Sequence, residues 1–190
     1  MIIREATPAD ARLIGLSITT AIGDDITDSL AAPDHSREDV VELFATLARL
    51  DDTQYSYRNT LVVCDDDGTP AGVAIAYDGA CLHEMRQHFF EAALKMLGKD
   101  MTGVDDECTP DEFYLDTLAV VPDRRGRGYA QALISATAER AHKSGKPLGL
   151  LVEKENRPAR RLYEKCGFKF YDERPFAFVM MDHLRLTAAR

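Results

Sequence analysis

The sequence predicts a three-layer domain of the α/β class, in its mixed α+β form: one central sheet, mixed but largely antiparallel, flanked by helices. Three stretches carry that expectation. Leu61–Cys64 and Ala71–Tyr77 are apolar runs joined by Asp65-Asp66-Asp67-Gly68, which reads as an antiparallel hairpin. Glu112–Val121 is an apolar run followed by a basic, glycine-rich turn and then a helical pattern. Pro147–Val152 is nearly all apolar, as a strand buried on both faces would be, and a short helical stretch follows it. A hairpin early and a strand-helix-strand-helix-strand order late place helices on both sides of one sheet.

The remaining elements follow in order. Ile2-Ile3-Arg4 reads as a first strand. Thr7-Pro8 opens a helix that would bury Leu13, Ile14 and Leu16. Asp24 to Pro33 is charged and small, and is expected to be a loop. Ser36-Arg37-Glu38-Asp39 has the form of a capping box, and Val40, Val41, Leu43, Phe44, Leu47 and Leu50 follow at helical spacing. Cys81–Leu97 predicts one helix with Leu82, Met85, Phe89, Ala93 and Met96 on its inner side. Gly98 to Asp111 is acidic and irregular, which predicts a mobile loop. Ala130, Leu133, Ile134, Thr137, Ala138 and Ala141 mark a buried helix face ending near Gly145. Arg157–Cys166 reads as a short helix stopped by Gly167, and Phe168–Tyr171 and Phe176–Met181 as the strands that close the sheet.

Composition narrows the function classes. A chain of 190 residues fits one domain, residues 1–190, long enough to bury roughly 70% of its unfolded surface. No apolar run approaches the roughly 20 residues of a bilayer span, so no membrane partner is expected. The N-terminus shows no basic region leading into an apolar core, which points to a cytoplasmic protein. A net charge of −9 argues against a nucleic-acid partner and is compatible with a cationic substrate. Cys64, Cys81, Cys108 and Cys166 form no C-x-x-C pair and read as reduced thiols. His83 to His88 resembles the zinc motif H-E-x-x-H but is one residue too long, so the two histidines fall on different helix faces. The Asp65–Asp67 run lacks the rest of a calcium loop. No metal is expected.

The chemistry concentrates in Arg125-Gly126-Arg127-Gly128-Tyr129-Ala130. Glycines let a backbone approach a ligand closely, and the helix N-terminus carries about half a positive charge, so consecutive N–H groups here suit a pyrophosphate. The Lys-Ser/Thr ending of a nucleotide P-loop is missing, as is the G-x-G-x-x-G of a dinucleotide site.

In context, Leu118-Ala119-Val120-x-Pro-x-x-Arg-Gly-x-Gly-x-Ala resembles the signature of the GNAT superfamily of acyl-CoA-dependent N-acyltransferases. Its Arg/Gln-x-x-Gly-x-Gly/Ala pattern is matched by Arg125, Gly128 and Ala130. A second stretch, from Asn156-Arg157-Pro158-Ala159 through Leu162-Tyr163 to Gly167-Phe168, is similar to that family's Asn-x-x-Ala-x-x-Leu-Tyr-x-x-x-Gly-Phe element. The two lie at the family's usual separation, and the element order agrees over nearly the whole chain. The resemblance implies that acetyl-CoA is the cosubstrate and that backbone N–H groups of Arg125, Gly126, Arg127, Gly128, Tyr129 and Ala130 hold its pyrophosphate. It implies that Leu118, Ala119 and Val120 present backbone groups to the pantetheine arm and thioester, one N–H acting like an oxyanion hole. Asn156 would touch the CoA arm, although it also suits a helix N-cap. Tyr163 would be the acid that protonates the leaving thiolate. By spacing alone, with Ala159, Leu162 and Cys166, it reads as a core tyrosine.

An ammonium acceptor must lose a proton before it attacks, and a carboxylate can take it. On a regular strand Glu112, Tyr114 and Asp116 share a face. Asp116 is the first candidate base, Glu112 the second and Glu153, at the end of the fifth strand, the third. Tyr77, His83 and His88 are further acceptor-side candidates without an assigned role. Cys166 has no evident histidine partner as a nucleophile. The expected reaction is direct transfer of acetyl to a primary amine of a small molecule or peptide. Its rivals are a CoA-binding module without turnover and an acetyltransferase of protein N-termini or lysines. Ala80 to Asp111 is longer than the family's minimal connection, a helical insertion expected, with Asp24 to His35, to set acceptor choice. Many relatives are dimers, so a homodimer is open to this chain.

Overall fold

The computed structural model describes residues 1–176 and 179–187. In chain order the elements are β1 (Ile2–Glu5), α1 (Ala11–Ala31), α2 (Arg37–Ala48), β2 (Thr60–Cys64), β3 (Pro70–Asp78), α3 (Leu82–Leu97), β4 (Phe113–Val120), α4 (Tyr129–Ser144), β5 (Leu148–Glu153), α5 (Arg157–Lys165), β6 (Lys169–Phe176) and β7 (Val179–Leu186). The strands form one seven-stranded sheet in the order β1-β2-β3-β4-β5-β7-β6. Every neighbouring pair is antiparallel except β4–β5. The expected mixed, largely antiparallel sheet between helices is the fold of the chain.

Alternation along the strands sends side chains to two cores. On one face Val62, Val73 and Ile75 meet Ile14 and Ile18 of α1, Phe44 and Leu47 of α2 and Phe89 of α3. The rings of Phe44, Tyr55 and Phe89 pack within 6.0 Å of one another. On the other face Ala74, Ala76, Leu115, Leu148 and Leu150 meet Leu133, Ile134 and Ala141 of α4. The α2 capping box forms as its sequence asks: Ser36 N–H donates to Asp39 Oδ2 at 2.7 Å, and Asp39 N–H to Ser36 Oγ at 3.3 Å.

Four expectations need correction. Asp24 to Pro33 is mostly helical: α1 continues to Ala31 across a kink at Gly23, whose φ of 81° is open to glycine at little cost. Beyond the kink, Thr27 Oγ1 donates to Gly23 O at 2.8 Å. Leu16 and Leu50 are exposed, Leu50 because α2 ends at Ala48. The 98–111 loop is tied down at its end, where Glu107 and Cys108 are buried. The last strand is β7, Val179–Leu186, while Phe176 ends β6; residues 177–178, within the expected Phe176–Met181 strand, lie outside the described residues.

Two irregularities in β4 position the site. Leu115 pairs with Ala76, but Thr117 pairs with Ile75, so Asp116 is an extra residue in a bulge. The parallel partner β5 registers with β4 only at Phe113–Leu148 and Tyr114–Gly149. Beyond Tyr114 the two strands part, and the β5-side edge of Leu115–Val120 is left without a strand partner.

Candidate active site

A cavity of about 850 Å³ opens where β4 and β5 part. It runs along β4, lined by Tyr114, Asp116, Thr117, Leu118, Ala119 and Val120. At the Val120 end stands the glycine turn, with Arg124, Arg125, Gly126, Gly128, Tyr129 and Ala130. At the Tyr114 end stand Ile18, Ile22, Gly23 and Ile26 of α1, with Tyr55 and Glu107. Asn156, Ala159, Leu162 and Tyr163 of α5 form the wall beyond β5.

The glycine turn is built as an anion cradle. Gly126 and Gly128 have φ of 76° and 84°, and an added Cβ on either would meet only open space. Gly128 caps α4 without any side-chain acceptor. Among the described residues the N–H groups of residues 126–131 donate to no protein acceptor, the first internal bond of the region being Ala132 N–H to Gly128 O at 3.0 Å. Orphan donors at a helix N-terminus are what a pyrophosphate satisfies, so these residues fit acetyl-CoA. Asp65, at the hairpin turn, holds the cradle from behind by accepting from the Tyr129 hydroxyl and pairing with Arg124 Nε at 2.6 Å. Arg125 Nε donates to Val120 O at 3.1 Å. The Arg127 side chain donates to Asp123 O at 3.3 Å and does not line the cavity, whereas Arg124 does.

Asn156 caps α5 by accepting from Ala159 N–H at 3.2 Å, and it also lines the cavity. The Tyr163 ring packs edge-on against Phe168 at 5.7 Å, and its hydroxyl has no hydrogen-bond partner among the described residues. Burial pushes its pKa up to about 12, so it stays protonated through neutral pH. Cys166 is half-buried, and burial raises its pKa, the opposite of what a nucleophile needs.

The structure separates the candidate bases. Asp116 lines the cavity, and its pKa is pushed up to about 7 by burial and by the charge of Glu107, against hydrogen bonds from Thr117, Tyr77 and Gln54. Glu153 lines the cavity from β5. Glu112 is not brought to the cavity: it precedes β4, is fully buried, and binds His183 Nε2 and Arg185 Nε at 2.8 Å each and Thr109 N–H at 2.9 Å. Gly149 makes room for it, since a Cβ there would stand 2.1 Å from Glu112 Oε2. His83 and His88 pair with Asp106 and Asp52 on the surface and stay away from the cavity.

Glu107 is the residue that sequence reasoning missed. It sits in an acidic run that nothing distinguishes by composition. Its signal was Arg86, which lies on the buried stripe Leu82-Arg86-Phe89-Ala93-Leu97 of α3. A charge on an apolar stripe demands a buried counter-ion, and Glu107 is that ion. Among the described residues no group of three or more His, Cys, Asp or Glu is placed to hold a metal, and no helix is long and apolar enough to cross a membrane.

The acetyltransferase (GNAT) family model matches residues 26–168 of the chain. The chain belongs to the GNAT acetyltransferase family. Solved structures agree over almost the full length of this GNAT protein. One described as an acetyltransferase is 29% identical, with 97% of this chain and 98% of that one covered and a TM-score of 0.79. An N-acetyltransferase from Staphylococcus aureus Mu50 is 22% identical, with 98% and 100% covered and a TM-score of 0.80, and so shares the fold. A Corynebacterium glutamicum structure described as histone acetyltransferase HPA2 and related acetyltransferase is 19% identical, covering 99% and 96%, at a TM-score of 0.69. No curated protein matches the sequence. Family membership makes this GNAT chain an acetyltransferase drawing on acetyl-CoA.

Proposed function

We propose that the protein transfers acetyl from acetyl-CoA directly to a primary amine of a small molecule or peptide. The observation that carries this reading is the single cavity joining the glycine cradle to Asp116 along β4. Acetyl-CoA supplies the acyl group activated as a thioester. The N–H groups of residues 126–130 hold the pyrophosphate, and the unpaired edge of Leu118–Val120 takes the pantetheine arm. Asp116 accepts the proton of the incoming ammonium, a task suited to a base poised near neutrality. A β4 N–H on the unpaired edge faces the developing oxyanion, and Tyr163 donates its hydroxyl hydrogen to the departing sulfur.

The acceptor end supports an amine. Asp116 and Glu107 bring negative charge there, while the lining cations, Arg124 and Arg125, stand at the opposite end in the glycine turn. Ile18, Ile22 and Ile26 offer an aliphatic wall to the rest of the acceptor. The test is thiol release from acetyl-CoA across alkylamines, polyamines, amino acids, aminoglycosides and short peptides, with an acceptor-free control. Acceptor-dependent release with mass gain on the amine supports the reading. Thermal stabilisation by CoA with no turnover on any amine would favour a binding module instead.

A further inference from the structure

Behind the proposed base lies a buried polar assembly that transfer as such does not require. The Tyr77 hydroxyl stands 2.9 Å from Glu107 Oε1 and 3.2 Å from Asp116 Oδ2. Tyr77 and Glu107 are 2% and 3% exposed. One hydroxyl hydrogen cannot serve two carboxylates at once. The arrangement is satisfied when one carboxyl is protonated and donates to Tyr77 Oη while Tyr77 donates to the other. Gln54 Nε2 donates to Glu107 Oε1 at 3.1 Å, and among the described residues the buried Gln54 Oε1 has no partner.

We propose that Asp116, Tyr77 and Glu107 form one proton-holding unit, in which Asp116 and Glu107 share a single proton across the Tyr77 hydroxyl and Glu107 sets the proton affinity of the base. The proposal rests on Asp116 as the base of the acetyl transfer. Balance is simple. The ammonium N–H bond breaks as Asp116 Oδ2–H forms. Glu107, which holds the shared proton at rest and also lines the cavity, releases it to solvent, and Asp116 passes its new proton to Tyr77 Oη as the Tyr77 hydrogen moves to Glu107 Oε1. The unit ends as it began, with one proton and with Asp116 ionised. Arg86, paired with Glu107 Oε2 and bonded to Asp106 at 2.6 Å, keeps Glu107 from binding the proton too firmly. Glu107 is a positioning residue in this scheme.

The groups facing Asp116 come from every neighbouring element: Tyr77 on β3, Tyr114 and Thr117 on β4, Gln54 and Tyr55 before β2, and Glu107 and Cys108 from the loop before β4, with Arg86 of α3 behind Glu107. Burial keeps Tyr55, Tyr77, Tyr114 and Cys108 neutral through physiological pH, so Glu107 is the neighbour whose charge Asp116 feels.

The experiment is a carbon-detected NMR titration of side-chain carboxyls in the free protein, for wild type, Tyr77→Phe and Glu107→Gln, paired with pH profiles of kcat/KM. Tyr77→Phe keeps the ring that packs on Tyr114 at 5.9 Å and removes only the bridge. Asp116 in wild type is expected to titrate near neutral pH. In Glu107→Gln its midpoint and the acid limb of the rate should fall by about one pH unit. Tyr77→Phe should lower kcat by roughly tenfold or more, with the KM for acetyl-CoA unchanged. A wild-type Asp116 that titrates in the ordinary carboxylate range, or a midpoint unmoved in Glu107→Gln, overturns the proposal. Should Glu107→Gln fail to fold, an unaltered titration and rate in Tyr77→Phe overturns it alone. The expected titration without turnover on any amine would leave the shared proton standing and remove the transfer reading.

Discussion

Glu112 and His183 are both fully buried and meet at 2.8 Å, at the junction of β4, β5 and β7. Burial alone would push the Glu112 pKa up, but His183, the Thr109 N–H and Arg185 together hold it below its ordinary value. The proximity is structural. Asp172 Oδ1 faces the other ring nitrogen at 2.7 Å, and Arg185 lies over the Tyr171 ring at 3.9 Å. The result is an ionic knot that ties the start of β4 to the closing hairpin.

Glu112→Gln should therefore cost stability rather than chemistry. Removing one partner of a buried ion pair typically costs about 3–5 kcal/mol, which is a drop in Tm of roughly 10 °C at this size. Acetyl transfer per folded molecule should stay within a factor of about two. Because the folded pKa is depressed, the stabilisation is present above the unfolded carboxyl pKa and is lost as pH falls through the folded value. Thermal melts from pH 7 down to pH 3, beside activity of the soluble fraction, check both halves.

Asp116→Asn should do the reverse. Asp116 is raised in the folded state, so its ionisation costs stability as pH rises through about 7. The variant should melt higher than wild type at pH 8, by about 1–3 kcal/mol in stability, and equally at pH 4. Its kcat/KM should fall about 10²–10⁴-fold. A variant that loses activity but gains no stability at pH 8 would show that Asp116 is not held against its charge.

Tyr163→Phe keeps the edge-on contact with Phe168 and removes one hydroxyl. We expect kcat to fall roughly 10–100-fold, with acetyl-CoA binding unchanged by calorimetry. Full turnover would remove Tyr163 from the reaction.

Gly126→Ala and Gly128→Ala probe the cradle. Each places a side chain at a positive φ, which costs about 1–2 kcal/mol. The strain turns N–H groups away from the pyrophosphate, so the Kd for CoA should rise at least about tenfold. Acceptor preference among amines should not change.

Acceptor choice should answer to α1. Ile22→Ala or Ile26→Ala widens the aliphatic wall and should shift the preferred amine towards longer or branched chains, with KM for acetyl-CoA unchanged. Trimming the whole 80–111 segment is a poor probe, because Leu82, Phe89, Ala93 and Leu97 of α3 belong to the core.

Much was legible because it is local. The hairpin, the capping box at Ser36, the glycine turn and the Asn156 cap each depend on residues a few positions apart. Those residues favour the same conformation in any surroundings. The loop expected over Asp24 to Pro33 failed for a local reason too: Gly23 interrupts helical periodicity, and the pattern after it is too short to register as a second helical arm. The 98–111 segment is the expected loop, but its end is held rather than mobile for a distant reason, since what anchors it is Arg86, on another element.

The sequence by itself determined the element order, the mixed sheet and the glycine turn through short-range spacing, and its two motifs carried the resemblance to the family. Only the tertiary structure separated Asp116, which lines the cavity, from Glu112, which does not. Strand alternation puts both on one face, but it assumes an unbroken ladder. The extra residue at Asp116 is a property of the β3–β4 pairing, and the burial of Glu112 follows from the space above Gly149 and from cations on β7. Glu107 entered the site for the same kind of reason. A buried charge chooses its partner by distance in space, which one-dimensional spacing does not record.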